Sequence, residues 1–145
     1  MTARARQPMC RPWTQRRVTV TSPSTRVLVV DDNVNAARAL AAYLELDEFD
    51  CRLAFGGIEA IRVGIDWRPH VVIMDISMPQ CNGFQAAMAL RQSEHTHDIA
   101  IIAFTALDEA EVRRHLSDHE FDGYCQKGEG PVRLFELINQ LVLAV

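Results

Sequence analysis

The chain has 145 residues, of which 48% are apolar and 23% are charged, and its formal net charge at pH 7 is −4. This length suits one domain with a full core and is short for two domains. No apolar run reaches the roughly 20 residues that a membrane helix needs, and the N-terminus lacks the continuous apolar core of a secretory signal. We therefore expect a cytoplasmic protein without membrane contact.

Residues 1–25 differ from the rest of the chain in charge. They hold five arginines and no acidic residue, whereas the remainder holds ten basic and 19 acidic residues, a balance of −9. Their Arg-, Pro-, Ser- and Thr-rich sequence shows no amphipathic period, so we predict a disordered basic tail over 1–25. A solvated extension, a transit peptide and an arm that touches nucleic acid stay open, although one short basic run gives little support for nucleic-acid binding.

From Arg26 onward, short apolar runs alternate five times with segments of helical period, as is typical of a parallel sheet with crossover helices. We predict strands over 26–30, 50–54, 70–74, 99–104 and 122–126. We predict helices over about 34–46, 57–66, 83–93, 108–118 and 131–144. The third and fourth strands are continuously apolar, as expected for strands covered on both faces, whereas the second alternates and suits an edge. The fold class is therefore α/β, a doubly wound parallel sheet in one domain over 26–145.

The four cysteines show neither a pairing pattern nor a zinc-like spacing. A domain of this size does not need disulfide bonds, so we expect reduced thiols. Two of the four fall inside predicted strands, where a small buried hydrophobic residue is expected. The cysteines are Cys10, Cys51, Cys81 and Cys125, and the two within strands are Cys51 and Cys125.

Polar side chains follow four of the five predicted strands at their carboxyl ends: Asp31 and Asp32, then Asp75, Thr105 and Lys127. These ends meet at one edge of a parallel sheet, where ligands bind. Lys127 is the only lysine in a chain with 14 arginines. Three neighbouring carboxylates would repel one another unless a hard cation such as Mg²⁺ accepts their oxygens.

A metal, a lysine and a hydroxyl around one carboxylate are the groups that stabilise a phosphoryl group during transfer. Asp75 is therefore the candidate nucleophile, and Thr105 and Lys127 are candidate contacts for the phosphoryl oxygens. The histidines offer a weaker alternative. His115 and His119 are four residues apart but have no evident third metal ligand, and we expect them on the surface. We expect the same of His95 and His97, which lie in a polar loop.

Four segments resemble the motifs of the response-regulator receiver domain, the CheY-like phosphoacceptor of two-component signalling. They are VLVVDDN at 27–33, VIMDISMPQCNGF at 72–84, FTA at 104–106 and YCQK at 124–127. The resemblance extends over about residues 26–145. It implies a flavodoxin-like (βα)5 sandwich whose five parallel strands lie in the order 2-1-3-4-5.

The resemblance also implies a role for each site residue. Asp75 would be the phosphoacceptor, Lys127 would contact the phosphoryl group, and Thr105 would shift toward it. Tyr124 matches the aromatic residue that turns inward behind the threonine and alters the face formed by the fourth helix, fifth strand and fifth helix. The groups implied to arrange Mg²⁺ are Asp31, Asp32, Asp75 and the backbone carbonyl of Ser77.

Three positions depart from the family's usual pattern. Gly128 follows the lysine where the family usually has a proline in a cis bond, so Lys127 is expected to be held less rigidly. Asn82 replaces the usual aspartate of a tight turn and should act similarly. Ser77 and Leu107 occupy places that tune dephosphorylation in the family, so the lifetime of the phosphoryl group stays open.

The predicted function is a receiver that accepts a phosphoryl group from a histidine kinase or a histidine phosphotransfer protein and then changes its affinity for a protein partner. It would catalyse only its own phosphorylation and dephosphorylation, so we do not expect a conventional enzyme. The chain leaves no room for an output domain, so we expect output through a partner, with a phosphorylation-dependent dimer left open. Small residues beside the acidic pair either suit docking of the phosphodonor or reflect helix propensity. These residues are Val34, Ala36, Ala37 and Ala39.

Two other functions compete with this one. The first is a binding module of the same fold that does not use phosphorylation, against which the complete set of acids, Thr105 and Lys127 argues. The second is a carboxylate-nucleophile phosphohydrolase. Such an enzyme needs a general acid two residues beyond its nucleophile, where this chain has Ser77.

Overall fold

The computed structural model describes residues 10–117, 119–128 and 130–144. Within them, no helix combines the length and the apolar character needed to cross a bilayer. The strands are β1 (Cys10–Pro12), β2 (Val18–Val20), β3 (Arg26–Val30), β4 (Asp50–Ala54), β5 (Val71–Met74), β6 (Ala100–Thr105), β7 (Gly123–Gln126) and β8 (Val142–Ala144). The helices are α1 (Val34–Glu45), α2 (Gly57–Trp67), α3 (Gly83–Gln92), α4 (Glu109–Arg114) and α5 (Val132–Leu141).

The main sheet contains the five predicted parallel strands in the predicted order. Across the sheet the strands are β4, β3, β5, β6 and β7, and β1 adds a sixth, antiparallel strand beside β7. The alternating strand β4 lies at the other edge, as its sequence predicts. β2 and β8 form a separate two-stranded parallel pair.

Helices cover both faces of the sheet. On one face, Leu28 and Val30 of β3 belong to a buried cluster that also includes Leu90 of α3. Val27 and Val29 point to the opposite cluster, which includes Leu134 and other residues of α5. Because side chains alternate along a strand, a strand buried on both faces must be apolar throughout, which explains the uninterrupted apolar runs.

Two helices are shorter than predicted. α4 ends at Arg114, and the chain after it turns so that the Ser117 amide donates to Glu120 Oε2 at 3.1 Å. α5 ends at Leu141, because residues 142–144 leave the helix to pair with β2 as strand β8. The helix predicted over 131–144 therefore ends three residues early, at Leu141.

The prediction of a disordered tail over 1–25 is wrong for residues 10–25. Within this segment, β1 pairs with β7 and β2 pairs with β8. Trp13 packs against the core, and its amide donates to the Asp122 carbonyl at 2.7 Å. Without β1, strand β7 would present unpaired backbone groups at the sheet edge. The predicted five-stranded sheet left these groups of β7 unpaired, and β1 supplies their hydrogen-bond partners. Residues 1–9 lie outside the described residues.

The prediction of four reduced thiols is also wrong. Cys10 and Cys125 form a disulfide bond, and Cys51 and Cys81 are free thiols. The register of β1 on β7 places Cys10 directly opposite Cys125. The two cysteines are 115 positions apart in the sequence, so no local spacing could indicate that they pair.

Candidate functional site

The three strand-end carboxylates meet at the carboxyl edge of the sheet. Asp31 follows β3 and Asp75 follows the neighbouring strand β5, and the Asp75 amide donates to the Val30 carbonyl at 3.0 Å. One oxygen from each of Asp31, Asp32 and Asp75 lies within 4.8 Å of the others. Asp31 and Asp75 are buried, whereas Asp32 is exposed. The edge therefore gathers three negative charges around a partly enclosed position.

Backbone and side-chain hydrogen bonds fix the orientation of Asp31. Its Oδ1 accepts from the Asn33 amide at 2.9 Å, and its Oδ2 accepts from Lys127 Nζ at 2.9 Å. Asn33 in turn caps α1, with its side chain accepting from the Ala36 amide at 3.1 Å. The start of α1 and the acidic pair are thus built as one unit.

Lys127 reaches into the acidic cluster from the end of β7. Its Nζ lies 3.3 Å from Asp75 Oδ1 and 5.5 Å from the centre of the Phe104 ring. Its amide donates to the Thr105 carbonyl at 2.8 Å, which holds the backbone of Lys127 in register with β6. Gly128 follows with φ +104°, a conformation that a glycine adopts without strain. The sequence did not single out Phe104, because an apolar residue in an apolar strand carries no functional signal.

The cluster shifts the pKa of Asp75 and the pKa of Lys127. Burial raises the pKa of Asp75 to about 6; Lys127 opposes this increase, and the charges of Asp31 and Asp32 add to it. Burial alone would lower the pKa of Lys127, but its contacts with Asp31 and Asp75 outweigh that effect and raise the pKa. Lys127 therefore keeps its positively charged ammonium form beside the carboxylates.

Thr105 and Tyr124 are linked through Leu107. Thr105 is buried at the end of β6, and its Oγ1 accepts from the Leu107 amide at 3.2 Å. The Tyr124 hydroxyl donates to the Leu107 carbonyl at 2.5 Å. The Tyr124 ring is fully buried, and this burial, with the charges of Asp108 and Glu109, raises its pKa to about 12. One short segment before α4 thus contacts both side chains.

The remaining candidate residues are Ser77 and the four exposed histidines. Ser77 is exposed in the loop after Asp75, and a role for its carbonyl stays a prediction. His115 Nε2 is 3.4 Å from Glu111 Oε1, and His95 Nδ1 is 2.7 Å from Arg68 Nη2. Among the described residues, the aspartate cluster is the only group with a geometry suited to a metal ion.

An apolar cleft of about 340 Å³ opens beside Lys127, between α1 and the loop that leads from β7 to α5. Ala36, Ala39 and Pro131 line it together with Phe104. Of the small residues expected on this surface of α1, Ala36, Ala37 and Ala39 line the cleft, with Ala37 buried at its base, whereas Val34 is not among the lining residues. Small side chains leave the acidic edge open on this side.

The donor set suits a hard divalent cation. Three carboxylates offer oxygen ligands, which Mg²⁺ prefers, and the exposed Asp32 leaves a side open to water, several molecules of which Mg²⁺ usually keeps. Cysteine and histidine, which would favour zinc, are absent from this group of ligands. The arrangement can also stabilise a tetrahedral or planar oxyanion, because Lys127 offers an ammonium group within 3.3 Å of Asp75.

Comparisons with known proteins agree with this geometry. The family model of the response regulator receiver domain matches residues 27–139. The transcriptional regulatory protein PrrA of Mycobacterium tuberculosis is 34% identical over 122 residues, which are 84% of this chain and 49% of PrrA. The regulator RpaA of Synechocystis is 28% identical over 102 residues, which are 70% of this chain and 42% of RpaA. The chain thus spans about half the length of the curated relatives it matches.

Solved structures show the same fold. The response regulator TrrA of Thermotoga maritima, crystallised in complex with Mg²⁺–BeF, has 31% identity and a TM-score of 0.73, covering 81% of this chain and 98% of TrrA. A response regulator from Desulfuromonas acetoxidans has 27% identity and a TM-score of 0.70, covering 80% of this chain and 94% of that one. The residues matched by the family model, 27–139, include the acidic cluster and the five parallel strands except Arg26 at the start of β3. The chain therefore belongs to the receiver domain family of two-component response regulators.

Proposed function

We propose that Asp75 is the phosphoacceptor of this receiver domain. The observation that supports this assignment best is the position of its carboxylate, buried at the sheet edge with Lys127 Nζ 3.3 Å from Oδ1 and the oxygens of Asp31 and Asp32 within 4.8 Å. Asp31 Oδ1 is already engaged by the Asn33 amide, and Asp32 is exposed. Asp75 is thus the acid that lies between the charged groups able to stabilise a transferred phosphoryl group.

We further propose that Asp31, Asp32 and Asp75 hold Mg²⁺, with the Ser77 carbonyl as an additional ligand. The TrrA structure contains Mg²⁺–BeF, and the acidic cluster of this chain offers the oxygen donors that such an ion needs. A bound Mg²⁺ would neutralise carboxylate charge and the charge of the phosphoryl oxygens. The Lys127 ammonium supplies a further positive charge on the β7 side of Asp75.

In the proposed reaction, an Asp75 oxygen attacks the phosphorus of a phosphohistidine on a histidine kinase or phosphotransfer protein. The new O–P bond forms as the N–P bond of the donor breaks, and the released imidazole takes up a proton from water. Lys127 would contact a phosphoryl oxygen throughout, and the Thr105 hydroxyl would donate to another. Each transfer phosphorylates Asp75 of the domain itself once, so the domain does not turn over a separate substrate as a conventional enzyme does.

The contacts of Leu107 support a route from Asp75 to a partner surface. If Thr105 Oγ1 turns to a phosphoryl oxygen, the Leu107 amide loses its acceptor, and the Leu107 carbonyl is the group that holds the Tyr124 hydroxyl. The segment leading into α4 would then change its preferred position, and we infer that the face formed by α4, β7 and α5 binds a downstream protein. Phosphorylation shifts this equilibrium only as far as its contacts differ between the two positions.

The cleft beside Lys127 suits the phosphodonor. A donor histidine must reach Asp75 from outside. Ala36 and Ala39 have short side chains, so helices of the donor can approach the backbone of α1 closely beside the acidic cluster. Because a donor kinase obtains its phosphoryl group from ATP, we propose that the domain acts in the cytoplasm. A phosphorylation-dependent dimer is a second proposed mode of output.

The test is the intact mass of the full chain after incubation with Mg²⁺ and acetyl phosphate. We expect one acid-stable, base-labile phosphoryl group on the native chain and on Asp47→Asn, an exposed acid far from the site, and none on Asp75→Asn. Chelation of Mg²⁺ should abolish the gain. Phosphorylation of Asp75→Asn at the native level would contradict the assignment, and sustained hydrolysis of a phosphomonoester would favour the phosphohydrolase.

A further inference from the structure

Residues 10–17, which we call the N-terminal arm, lie against the α4–β7 side of the domain. Strand β1 of the arm pairs with β7 in antiparallel register, with Arg11 opposite Tyr124 and Pro12 opposite Gly123. At the start of the arm, the disulfide bond joins Cys10 to Cys125 in the middle of β7. The arm is therefore attached to the sheet both by backbone hydrogen bonds and by a covalent bond.

Trp13 is the side chain with which the arm covers this surface. Its ring is stacked on the Tyr124 ring, with centroids 5.4 Å apart and planes 4° from parallel. The Trp13 Nε1 donates to Glu109 Oε2 of α4 at 2.6 Å. The guanidinium of Arg113, also on α4, lies 4.2 Å from the centre of the Trp13 ring. Trp13 thus bridges β7 and α4, and any protein that binds this surface must first displace it.

The noncovalent attachment of the arm is short. β1 has three residues, and beyond it the arm is held by hydrogen bonds to Asp122, which accepts from Thr14 Oγ1 at 2.7 Å and from Arg16 Nε at 3.0 Å. A strand of three residues is held by few backbone hydrogen bonds, so opening of the arm has to break mainly the packing of Trp13 and the contacts of Asp122. The bond from Cys10 to Cys125 is the one attachment here that thermal opening cannot release.

We propose that Cys10 and Cys125 are a reversible thiol–disulfide pair that fastens the N-terminal arm over Tyr124 and α4. The domain has two extensive apolar clusters and does not need a covalent bond to fold, and its two other described cysteines stay free. A bond at the end of a short arm therefore has a more specific consequence than general stability. It sets how long the arm stays closed, and so how accessible the surface beneath Trp13 is.

The accessibility of the two sulfur-bearing residues suits such an exchange. Cys10 is half-buried at the outer end of the arm, whereas Cys125 is buried beneath it. With a low-molecular-weight disulfide as oxidant, the Cys10 thiolate attacks one of its sulfurs, forms a mixed disulfide and releases one small thiolate. The Cys125 thiolate then attacks the Cys10 sulfur and releases the second. Two cysteine thiols are oxidised and one small disulfide is reduced, with the protons passing to the released thiols.

The experiment uses the full chain in a Trp67→Phe background, because the sequence has two tryptophans and this change leaves Trp13 as the only reporter. The protein is equilibrated with oxidised glutathione or with dithiothreitol, and free thiols are blocked before peptide mapping. We expect a linked Cys10–Cys125 peptide only after oxidation. Because an opened segment spends part of its time in solvent, acrylamide quenching of Trp13 should rise at least about twofold on reduction.

Matched variants separate this pair from the other thiols. Cys10→Ser should show the high quenching of the reduced chain under both conditions, whereas Cys51→Ser should keep the full redox response. Cys51 suits this control because it is a free thiol on the far edge of the sheet, and burial raises its pKa to about 12. The measurement needs no phosphodonor, so its result is independent of the role of Asp75.

Three results would overturn the proposal. The first is the absence of the linked peptide after oxidation. The second is a linked peptide with the same Trp13 quenching in both states, which would make the bond a structural crosslink without control over the arm. The third is a redox response that persists in Cys10→Ser, because another thiol would then be responsible. Faster hydrogen exchange of β7 amides on reduction would support the proposal independently of fluorescence.

Discussion

Asp122 provides the sharpest test of how the core and the N-terminal arm are held together. It is buried just before β7 and accepts hydrogen bonds from both sides. On one side its Oδ2 pairs with Arg91 Nη2 of α3 and accepts from the Ile101 amide at 3.0 Å. On the other, its Oδ1 accepts from Thr14 and Arg16 of the arm. The change Asp122→Asn removes the charge with little change in shape.

The expected loss in the free energy of unfolding depends on the hydrogen bonds that Arg91 keeps in Asp122→Asn. Removing one partner of a buried ion pair usually costs about 3–5 kcal/mol, because the remaining charge is left without compensation. Arg91 still donates to the carbonyls of Glu120, His97 and Ile99 at 3.1, 3.1 and 2.6 Å. Its guanidinium is thus hydrogen-bonded even without Asp122, which favours the lower end of that range. We expect a loss of about 3 kcal/mol in the free energy of unfolding.

Urea denaturation in dithiothreitol measures this loss without a contribution from the disulfide bond. For a slope of about 1–3 kcal/mol/M, such a loss lowers the urea midpoint by about 1 M or more. The control is Glu111→Gln, because Glu111 pairs with Arg114 on the exposed side of α4 and should contribute less than about 1 kcal/mol. A similarly small loss in Asp122→Asn would refute the reasoning, since it would mean that water compensates the Arg91 charge.

Two further changes test the local structure. His70 is buried, and its Nδ1 accepts from the Arg26 amide at 2.9 Å. Burial, with the Arg26 charge, lowers the pKa of His70 below the usual 6.5. The unfolded chain therefore binds more protons than the folded chain, and the free energy of unfolding falls as the pH drops through 6.5. His70→Asn, which can keep an acceptor there, should flatten the pH dependence of the urea midpoint between about pH 7.5 and 5.5, and an unchanged slope would argue against this origin. In Gly83→Ala, the new Cβ would meet the Asp75 carbonyl oxygen and lie 2.8 Å from Ile76 Cα, so we expect a loss of about 1–3 kcal/mol in urea denaturation. Gly56→Ala, whose new Cβ has nothing within 4 Å, should cost less than about 1 kcal/mol, which reflects only the poorer capping of α2 by alanine, and equal effects of the two changes would contradict the packing argument.

The parallel sheet could be predicted because its signals are local. The run at 71–74 is apolar at every position, and this pattern needs only a sheet covered on both faces. The acidic cluster could be predicted for a related reason. Once strands are placed in a parallel sheet, the residues after them must share an edge, so Asp31, Asp75 and Lys127 meet whatever the details of packing.

The N-terminal arm could not be predicted by the same reasoning. β1 and β2 have three residues each, too few for an alternating pattern to be distinguished from chance, and their partners lie more than 100 positions away. Asp122 could be placed only at the start of the predicted fifth strand, because the arginines that pair with it come from α3 and from the N-terminal arm. Such features depend on contacts between distant segments, and a pattern within a window of ten or so residues carries no record of them.

Tyr124 is where the site and the arm meet, and this has a thermodynamic consequence. Its hydroxyl is bonded to Leu107, which also contacts Thr105, while its ring is covered by Trp13. Both contacts depend on the position of the same side chain. If phosphorylation changes that position, it must change the free energy of closing the arm, and closing the arm must change the free energy of phosphorylation by the same amount, because coupling between two equilibria is reciprocal. An arm fastened by a disulfide bond would therefore alter how the domain responds at Asp75, through the contacts of Tyr124 and Leu107.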